Sequence, residues 1–209
     1  MDNSKHEARQ TGTTTVGLVC KDGVVLASDR RATMGYLIAS KDIDKIYPIN
    51  DRIAMTIAGS VGDAQTLVRW MNAELKLYEL RHEQHPSVEA AASLLANILG
   101  QYKFFPFYVQ LLIGGMDERP RLFSVDMLGG VTEENVTATG SGSPIAYGVL
   151  EELYKESQHV EDNLPIAAKA VSAAMKRDAA SGERVDIVVV TKDGFKRLDK
   201  EEVKKFVHS

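Results

Sequence analysis

Thr13, Thr14 and Thr15 stand together at the head of a β-branched, apolar run over residues 13–20. Read as secondary structure, the run is simply strand propensity. Read as chemistry, it needs cleavage of the Gly12–Thr13 bond, which would leave a hydroxyl and a free α-amine on one residue. A hydroxyl is a weak nucleophile at neutral pH and needs a base beside it. An α-amine titrates near pH ~7.7–8.0, so it is partly neutral at working pH and can accept that proton. No histidine of this chain sits in a recognisable triad motif, and this chemistry requires none.

Asp29 closes the apolar run Val24-Val25-Leu26-Ala27-Ser28 and is either a turn residue or a site carboxylate. Lys45 shares one face of an extended segment with Ile43 and Tyr47. Flanked by apolar side chains, it either loses water and becomes an electrostatic group or snorkels to solvent. Asp178 continues the helical stripe of Ala167, Val171 and Ala174. A carboxylate on a core-facing stripe must be paired, unless it lies at a frayed and exposed helix end. Ser181 could join its hydrogen bonds or begin the loop at Gly182. Gly140-Ser141-Gly142-Ser143-Pro144 could cradle an anion or cap a helix, but it lacks the lysine of a phosphate-binding loop. Gly59, after a strand, could offer an exposed N–H to a developing oxyanion. His82 and His85 read as a surface helix end, with no further ligand to complete a metal set. Cys20 reads as a small core residue. Trp70 and the aromatic run of residues 102–108 read as packing or subunit contact.

The elements that must position these groups follow from periodicity. Lys21-Asp22-Gly23 predicts a hairpin turn between the first two strands, and residues 52–58 alternate as a third. Leu67, Met71, Leu75 and Tyr78 place a helix over residues 63–82, stopped before Pro86. A second helix follows with Ser87 as its N-cap. Strands are expected at 108–116, 121–126 and 135–139, then helices at 144–157 and 165–180, with Pro144 and Pro165 in their first turns. Strands at 185–191 and 195–198 and a short charged helix at 200–207 close the chain. Strands joined by hairpins imply antiparallel sheets. Two such sheets face to face, with a helix pair on each outer side, bury every apolar face. The expected fold is therefore α+β, a single four-layer α/β/β/α sandwich.

Of 209 residues, 44% are hydrophobic and 26% charged, which excludes wholesale disorder. A chain of this length buries about 70% of its unfolded surface and needs no disulfide or metal staple. The net charge of −4 gives no support to nucleic-acid binding. The one cysteine makes no internal disulfide and fits a reducing compartment. The polar head is not a secretory signal, and no apolar run reaches the ~18 residues of a membrane span.

Taken in order, TTTVG (13–17), SDRR (28–31), Lys45, TIAGSVGDAQ (56–65), TGSGSP (139–144) and RDAASG (177–182) resemble the catalytic β subunits of the 20S proteasome, most closely the archaeal type. The likeness runs from Thr13 almost to the C-terminus and implies the N-terminal-nucleophile hydrolase fold. It implies that Thr13 is the nucleophile of a threonine endopeptidase, unmasked by self-cleavage after Gly12, with residues 1–12 a propeptide and 13–209 one catalytic domain. Asp29 and Lys45 match the pair beside the nucleophile, the lysine lowering the pKa of the threonine hydroxyl and the aspartate orienting the lysine. Gly59 matches the oxyanion donor; Ser141, Asp178 and Ser181 match the group that holds the threonine amine and a water. Thr33 and Gly59 match residues that pair with an extended peptide. Ala32, Ile43, Ile57 and Val61 match the wall of the first specificity pocket, and being uncharged they imply apolar residues before the cut.

The resemblance further implies a cytoplasmic protein that assembles with proteasome α subunits and copies of itself in stacked seven-membered rings. Unfolded polypeptides would be its substrates, delivered by an ATPase regulator, with no metal or organic cofactor. Three other readings are a non-catalytic ring subunit, the shorter bacterial two-ring protease, and a small-molecule amidohydrolase of the same fold. The intact set of Thr13, Asp29 and Lys45 argues against the first, and the full motif series against the last.

Overall fold

The threonine-led run folds as β1 (Thr15–Val19) and turns through Lys21-Asp22 into β2 (Gly23–Asp29), paired antiparallel with Thr15 opposite Ser28. The structure is a computed structural model that describes residues 12–207. Residues 1–11, and with them all of the expected propeptide except Gly12, lie outside the described residues. After β2 come β3 (Ala32–Met34), β4 (Leu37–Ser40), β5 (Ile46–Asn50) and β6 (Ile53–Gly59). Helices α1 (Val61–His82) and α2 (Val88–Gln101) follow, then β7 (Val109–Met116), β8 (Pro120–Val125), β9 (Val131–Glu133) and β10 (Val136–Thr139). The chain ends with α3 (Ser143–Leu153), α4 (Val160–Met175), β11 (Val185–Thr191), β12 (Gly194–Arg197) and α5 (Lys200–Val207).

Two five-stranded sheets form, ordered β10-β1-β2-β11-β12 and β5-β6-β7-β8-β9, with every pairing antiparallel. Strands β3 and β4 make a separate hairpin. The core has three layers of apolar contact. Val25 and Ala27 of β2 and Ile187 and Val189 of β11 pack with Leu150 of α3 and Ala167 and Val171 of α4. Met55, Leu111 and Ile113 pack with Leu67 and Met71 of α1 and Leu95 and Leu99 of α2. Between the sheets lie Val24, Leu26, Ala54, Leu112, Leu122, Val188 and Val190. Successive residues of β2 and β11 thus serve opposite layers, which is why these strands read as unbroken apolar runs rather than as alternation. The expected α/β/β/α sandwich is what the chain builds.

Local departures have local causes. The fourth helix begins at Val160, not at Pro165, and carries Pro165 inside it. Asp162 reaches back to the His159 N–H and sets this earlier start. Pro165 has no N–H to give the Glu161 carbonyl one turn back, and Glu161 is exposed to water. The third helix stops at Leu153, short of residue 157, where Tyr154 turns extended and ties its hydroxyl to the Val19 carbonyl. The first helix starts at Val61, capped by Ser60, whose hydroxyl accepts the Asp63 N–H. The β3–β4 hairpin and β9 have no counterpart in the sequence periodicity, because most of their residues face outward. Among the described residues no helix is long and apolar enough to cross a membrane.

Cys20 is buried in the layer under α3 and α4, with Asn163 Nδ2 donating to its sulfur at 3.3 Å. Burial pushes its thiol up to about 12. A thiol-specific chromogenic reagent at pH 8 should therefore find no reactive thiol in the native chain and one after unfolding in guanidinium.

Candidate active site

Thr13 leads into β1 and is buried, 3% exposed. Its hydroxyl donates to the Gly12 carbonyl at 2.7 Å, and its backbone N–H donates to Ser141 Oγ at 3.2 Å. In the full-length chain the Thr13 nitrogen is the amide of the Gly12–Thr13 peptide bond. Gly12 fits tightly. A Cβ there would stand 1.7 Å from the Ala180 Cβ and 2.9 Å from Ser141 Oγ, so no other residue can take this backbone path.

Asp29 ends β2 with no exposed surface. Oδ1 accepts the Thr14 N–H at 2.9 Å and the Lys45 ammonium at 2.8 Å. Oδ2 accepts the Arg31 N–H at 3.0 Å and the Gly182 N–H at 2.9 Å. The four donors saturate the carboxylate. Lys45 is itself buried, and loss of water pulls its pKa below the ordinary lysine value, with the Asp29 charge opposing that pull. The extended segment aims the lysine at the carboxylate; it does not snorkel.

A second polar cluster meets Thr13 at its backbone N–H. Ser141 and Ser181 each donate to Asp178 Oδ2 at 2.6 Å, and Asp178 Oδ1 accepts the Ala180 N–H at 3.1 Å. Since Ser181 spends its one proton on Asp178, the 2.7 Å contact between Thr14 and Ser181 must be donated by Thr14. A directed chain results, from Thr14 through Ser181 to Asp178, where Ser141 also points and receives the Thr13 N–H. Asp178 is not on the helix. α4 ends at Met175, and the turn after it brings the carboxylate to the serines.

Gly59 is the last residue of β6, at φ +131°, and a Cβ there would lie 2.1 Å from the Tyr108 carbonyl oxygen. Only glycine fits, and the strand can then pass directly into α1. Gly12, Thr13, Lys45 and Gly59 line one cleft, together with Ala32, Thr33, Ile43, Ile57 and Val61. Thr33 Oγ1 accepts the Gly12 N–H at 3.2 Å. Asp29 joins these cleft residues through Lys45, and Ser141 joins them through Thr13, with Asp178 and Ser181 behind it.

The family model for proteasome subunits matches residues 9–190. This chain belongs to the proteasome subunit family. A proteasome subunit β of Archaeoglobus profundus is 57% identical over 200 residues, covering 95% of this chain and 93% of that relative. One from Methanosarcina barkeri is 54% identical over 206 residues, covering 98% and 96%. One from Ferroglobus placidus is 52% identical over 200 residues, covering 95% of each. The chain is accordingly a β-type proteasome subunit of the 20S core, with the sandwich fold of the N-terminal-nucleophile hydrolases.

Within this proteasome subunit, several site residues escaped the sequence reading. Arg31, Asp44, Tyr47 and Ala64 also line the cleft. Thr14 was one of three like residues, and its hydroxyl bond to Ser181 could not be told from strand propensity. Gln110, a lone polar residue in the apolar run of β7, accepts the Gly140 N–H at 3.0 Å and steadies the loop that carries Ser141. That interruption was the one signal available for it.

The saturated Asp29 gives an asymmetric expectation. Asp29→Ala strands a buried ammonium and three N–H groups and should lower stability by about 3–5 kcal/mol. Lys45→Met leaves the carboxylate three donors and should cost clearly less. Denaturant unfolding of the two variants checks the order; equal losses would mean that the pair alone, not the backbone donors, holds the site.

Proposed function

We propose that this subunit is a threonine endopeptidase of the proteasome core, with Thr13 as its N-terminal nucleophile. The observation that carries the reading is the position of Thr13. Its hydroxyl donates to the Gly12 carbonyl, it shares one cleft with Lys45, and its N–H donates to Ser141 of the Ser141–Asp178–Ser181 cluster.

Activation begins at that carbonyl. Thr13 Oγ1 attacks the Gly12 carbonyl carbon, the threonine nitrogen leaves with the proton, and an ester joins Gly12 to Oγ1. Water hydrolyses the ester, freeing a Gly12 carboxylate, the Thr13 hydroxyl and the Thr13 α-amine. The propeptide of residues 1–12 keeps the amine acylated until then. In turnover the amine accepts the hydroxyl proton, through a water held by Ser141, Asp178 and Ser181. The hydroxyl oxygen attacks the scissile carbonyl, and the Gly59 N–H receives the developing oxyanion. The leaving amine takes the proton, and water then cleaves the acyl-enzyme. Lys45 stabilises negative charge on Oγ1, and Asp29 holds the lysine in place. Thr33 and Gly59 offer backbone groups to an extended peptide, a form of strand addition.

The same reading makes the chain a partner of proteasome α subunits and of its own copies, stacked as seven-membered rings in the cytoplasm. Unfolded polypeptide, fed by an ATPase regulator, is the substrate. Ala32, Ile43, Ile57 and Val61 turn apolar groups into the cleft and select apolar residues before the cut.

The N-terminal sequence and intact mass after co-assembly with an α partner test this directly. Thr13 should become the first residue, and Thr13→Ala should stay full length. An assembled particle that keeps Met1 would make the chain a structural ring subunit instead. Lys45→Met should lower peptide turnover by about 10²–10³ without dissolving the particle. In kinetics with a panel of peptides, an apolar residue before the cut should give the highest kcat/KM; acidic or basic residues cleaved fastest would reject the pocket assignment.

A further inference from the structure

The Asp29–Lys45 pair has a second ion pair one residue along each of its two segments. Arg30 follows Asp29, and Asp44 precedes Lys45. Arg30 Nη1 donates to Asp44 Oδ1 at 2.5 Å and to Asp186 Oδ2 of β11 at 3.1 Å, while Nε donates to Asp42 Oδ1 at 2.5 Å. Arg30 and Asp186 are each 7% exposed. Arg197 of β12 joins from the sheet side. It contacts Asp44, reaches Asp186 at 3.2 Å and donates to the Ile46 carbonyl at 2.5 Å. Arg184 closes the outer end on Asp42 at 2.6 Å. Three arginines and three aspartates thus balance in charge.

The network matters because of where it acts. Residues 41–45 run between β4 and β5 outside any sheet ladder, yet they deliver both Ile43 and Lys45 to the cleft. Two backbone–backbone bonds hold them, beside local bonds from the Tyr47 hydroxyl to the Asp44 carbonyl at 2.7 Å and from the Asp42 N–H to Ser40 Oγ at 3.3 Å. The Ile43 N–H donates to the Arg30 carbonyl at 3.0 Å, and the Lys45 carbonyl accepts the Ile57 N–H at 2.9 Å. The rest of their hold on the β2–β11 sheet is ionic. We infer that Arg30 is a positioning residue for peptide hydrolysis: its guanidinium pins Asp42 and Asp44 to Asp186 and so fixes where Lys45 stands. This rests on Thr13 and Lys45 acting as proposed above.

A guanidinium suits the task because its planar fork serves several carboxylates at once, which an ammonium cannot do with the same geometry. Asp42 and Asp44 are half exposed, so the outer contacts are screened. The buried contact to Asp186 is not, and without Arg30 the three carboxylates keep only Arg184 and Arg197. The segment then has room to shift, and small displacements of a reacting group cost large factors in rate. Ile43 is held by a main-chain bond that substitution of the Arg30 side chain leaves in place. Loss should therefore appear at Lys45 and not in the pocket wall.

The test uses assembled particles with Arg30→Gln, Arg30→Lys and Asp44→Asn, beside wild type and Thr13→Ala. Peptide kinetics and thermal unfolding are read on each. Arg30→Gln should lower kcat at least tenfold and leave KM within twofold, and Arg30→Lys should recover part of the loss. Wild-type kcat in Arg30→Gln overturns the inference. So does a loss that Arg30→Lys does not relieve and that only follows a lower unfolding temperature. Should Arg30→Gln not assemble, Asp44→Asn decides, since it keeps Arg30 paired with Asp42 and Asp186. A several-fold fall in kcat at constant KM supports the inference, and unchanged kcat rejects it. Thr13→Ala separates the two readings. If it stays active, the nucleophile assignment fails and the inference falls with it; if it is inactive, the Arg30 series speaks for Arg30 alone.

Discussion

The Asp29 carboxylate is the constraint on which the site depends. A charge taken fully out of water is costly unless it is paired and its lone pairs are filled. Here the pairing comes from Lys45 and the filling from three backbone N–H groups. Those donors belong to four different stretches of chain: the head of β1, the entry to β3, the segment before β5, and the loop before β11. One buried group therefore ties Thr14, the residue after Thr13, to Lys45. Movement of any one stretch would leave a donor or the carboxylate unpaired in the interior, so the arrangement is fixed from several directions.

The platform beneath is rigid for a different reason. β1, β2 and β11 sit together in one sheet, and β2 and β11 are apolar on both faces, against helices on one side and the second sheet on the other. A hydroxyl ladder adds to this: Thr56 donates to Thr15 at 3.1 Å, and Thr15 bonds Thr139 at 2.6 Å, crossing from one sheet to the other, two residues after Thr13. Thr13 stands two residues before Thr15, and its carbonyl accepts the Gly142 N–H at 3.3 Å. The Lys45 segment lies outside the sheet ladders and is held by two backbone bonds and by charge. The threonine strand is thus placed by packing and the cation largely by electrostatics, and the Thr14 N–H and Lys45 meet at Asp29.

Much of the fold was legible in the chain. Hairpin turns, the helical stripe through Leu67, Met71 and Leu75, and the serine cap at Ser87 are short-range signals that the structure keeps. The β3–β4 hairpin left no periodic trace because it buries little. The start of α4 was misread because Pro165 suits a first turn, whereas the Asp162 side chain sets an earlier start that the proline then tolerates. Asp178 showed the limit of periodicity. Its helical phase put it on the core stripe, yet the helix ends before it and its partners come from the following turn and the loop before α3.

By itself the sequence determined the kinds of groups available and the elements that carry them. It set threonine after glycine at the head of a strand, carboxylates at the ends of a strand and a helical pattern, and glycine where a strand runs into a helix. Those are matters of local geometry and spacing. Tertiary structure alone decided the partners: that Asp29 takes Lys45, that Arg30 takes Asp44 and Asp186, and that Ser181 answers to Thr14 as well as to Asp178. Such pairings join segments far apart in the chain. Their outcome depends on which side of each extended strand is turned toward the closed sandwich, and only the packed sheets settle that.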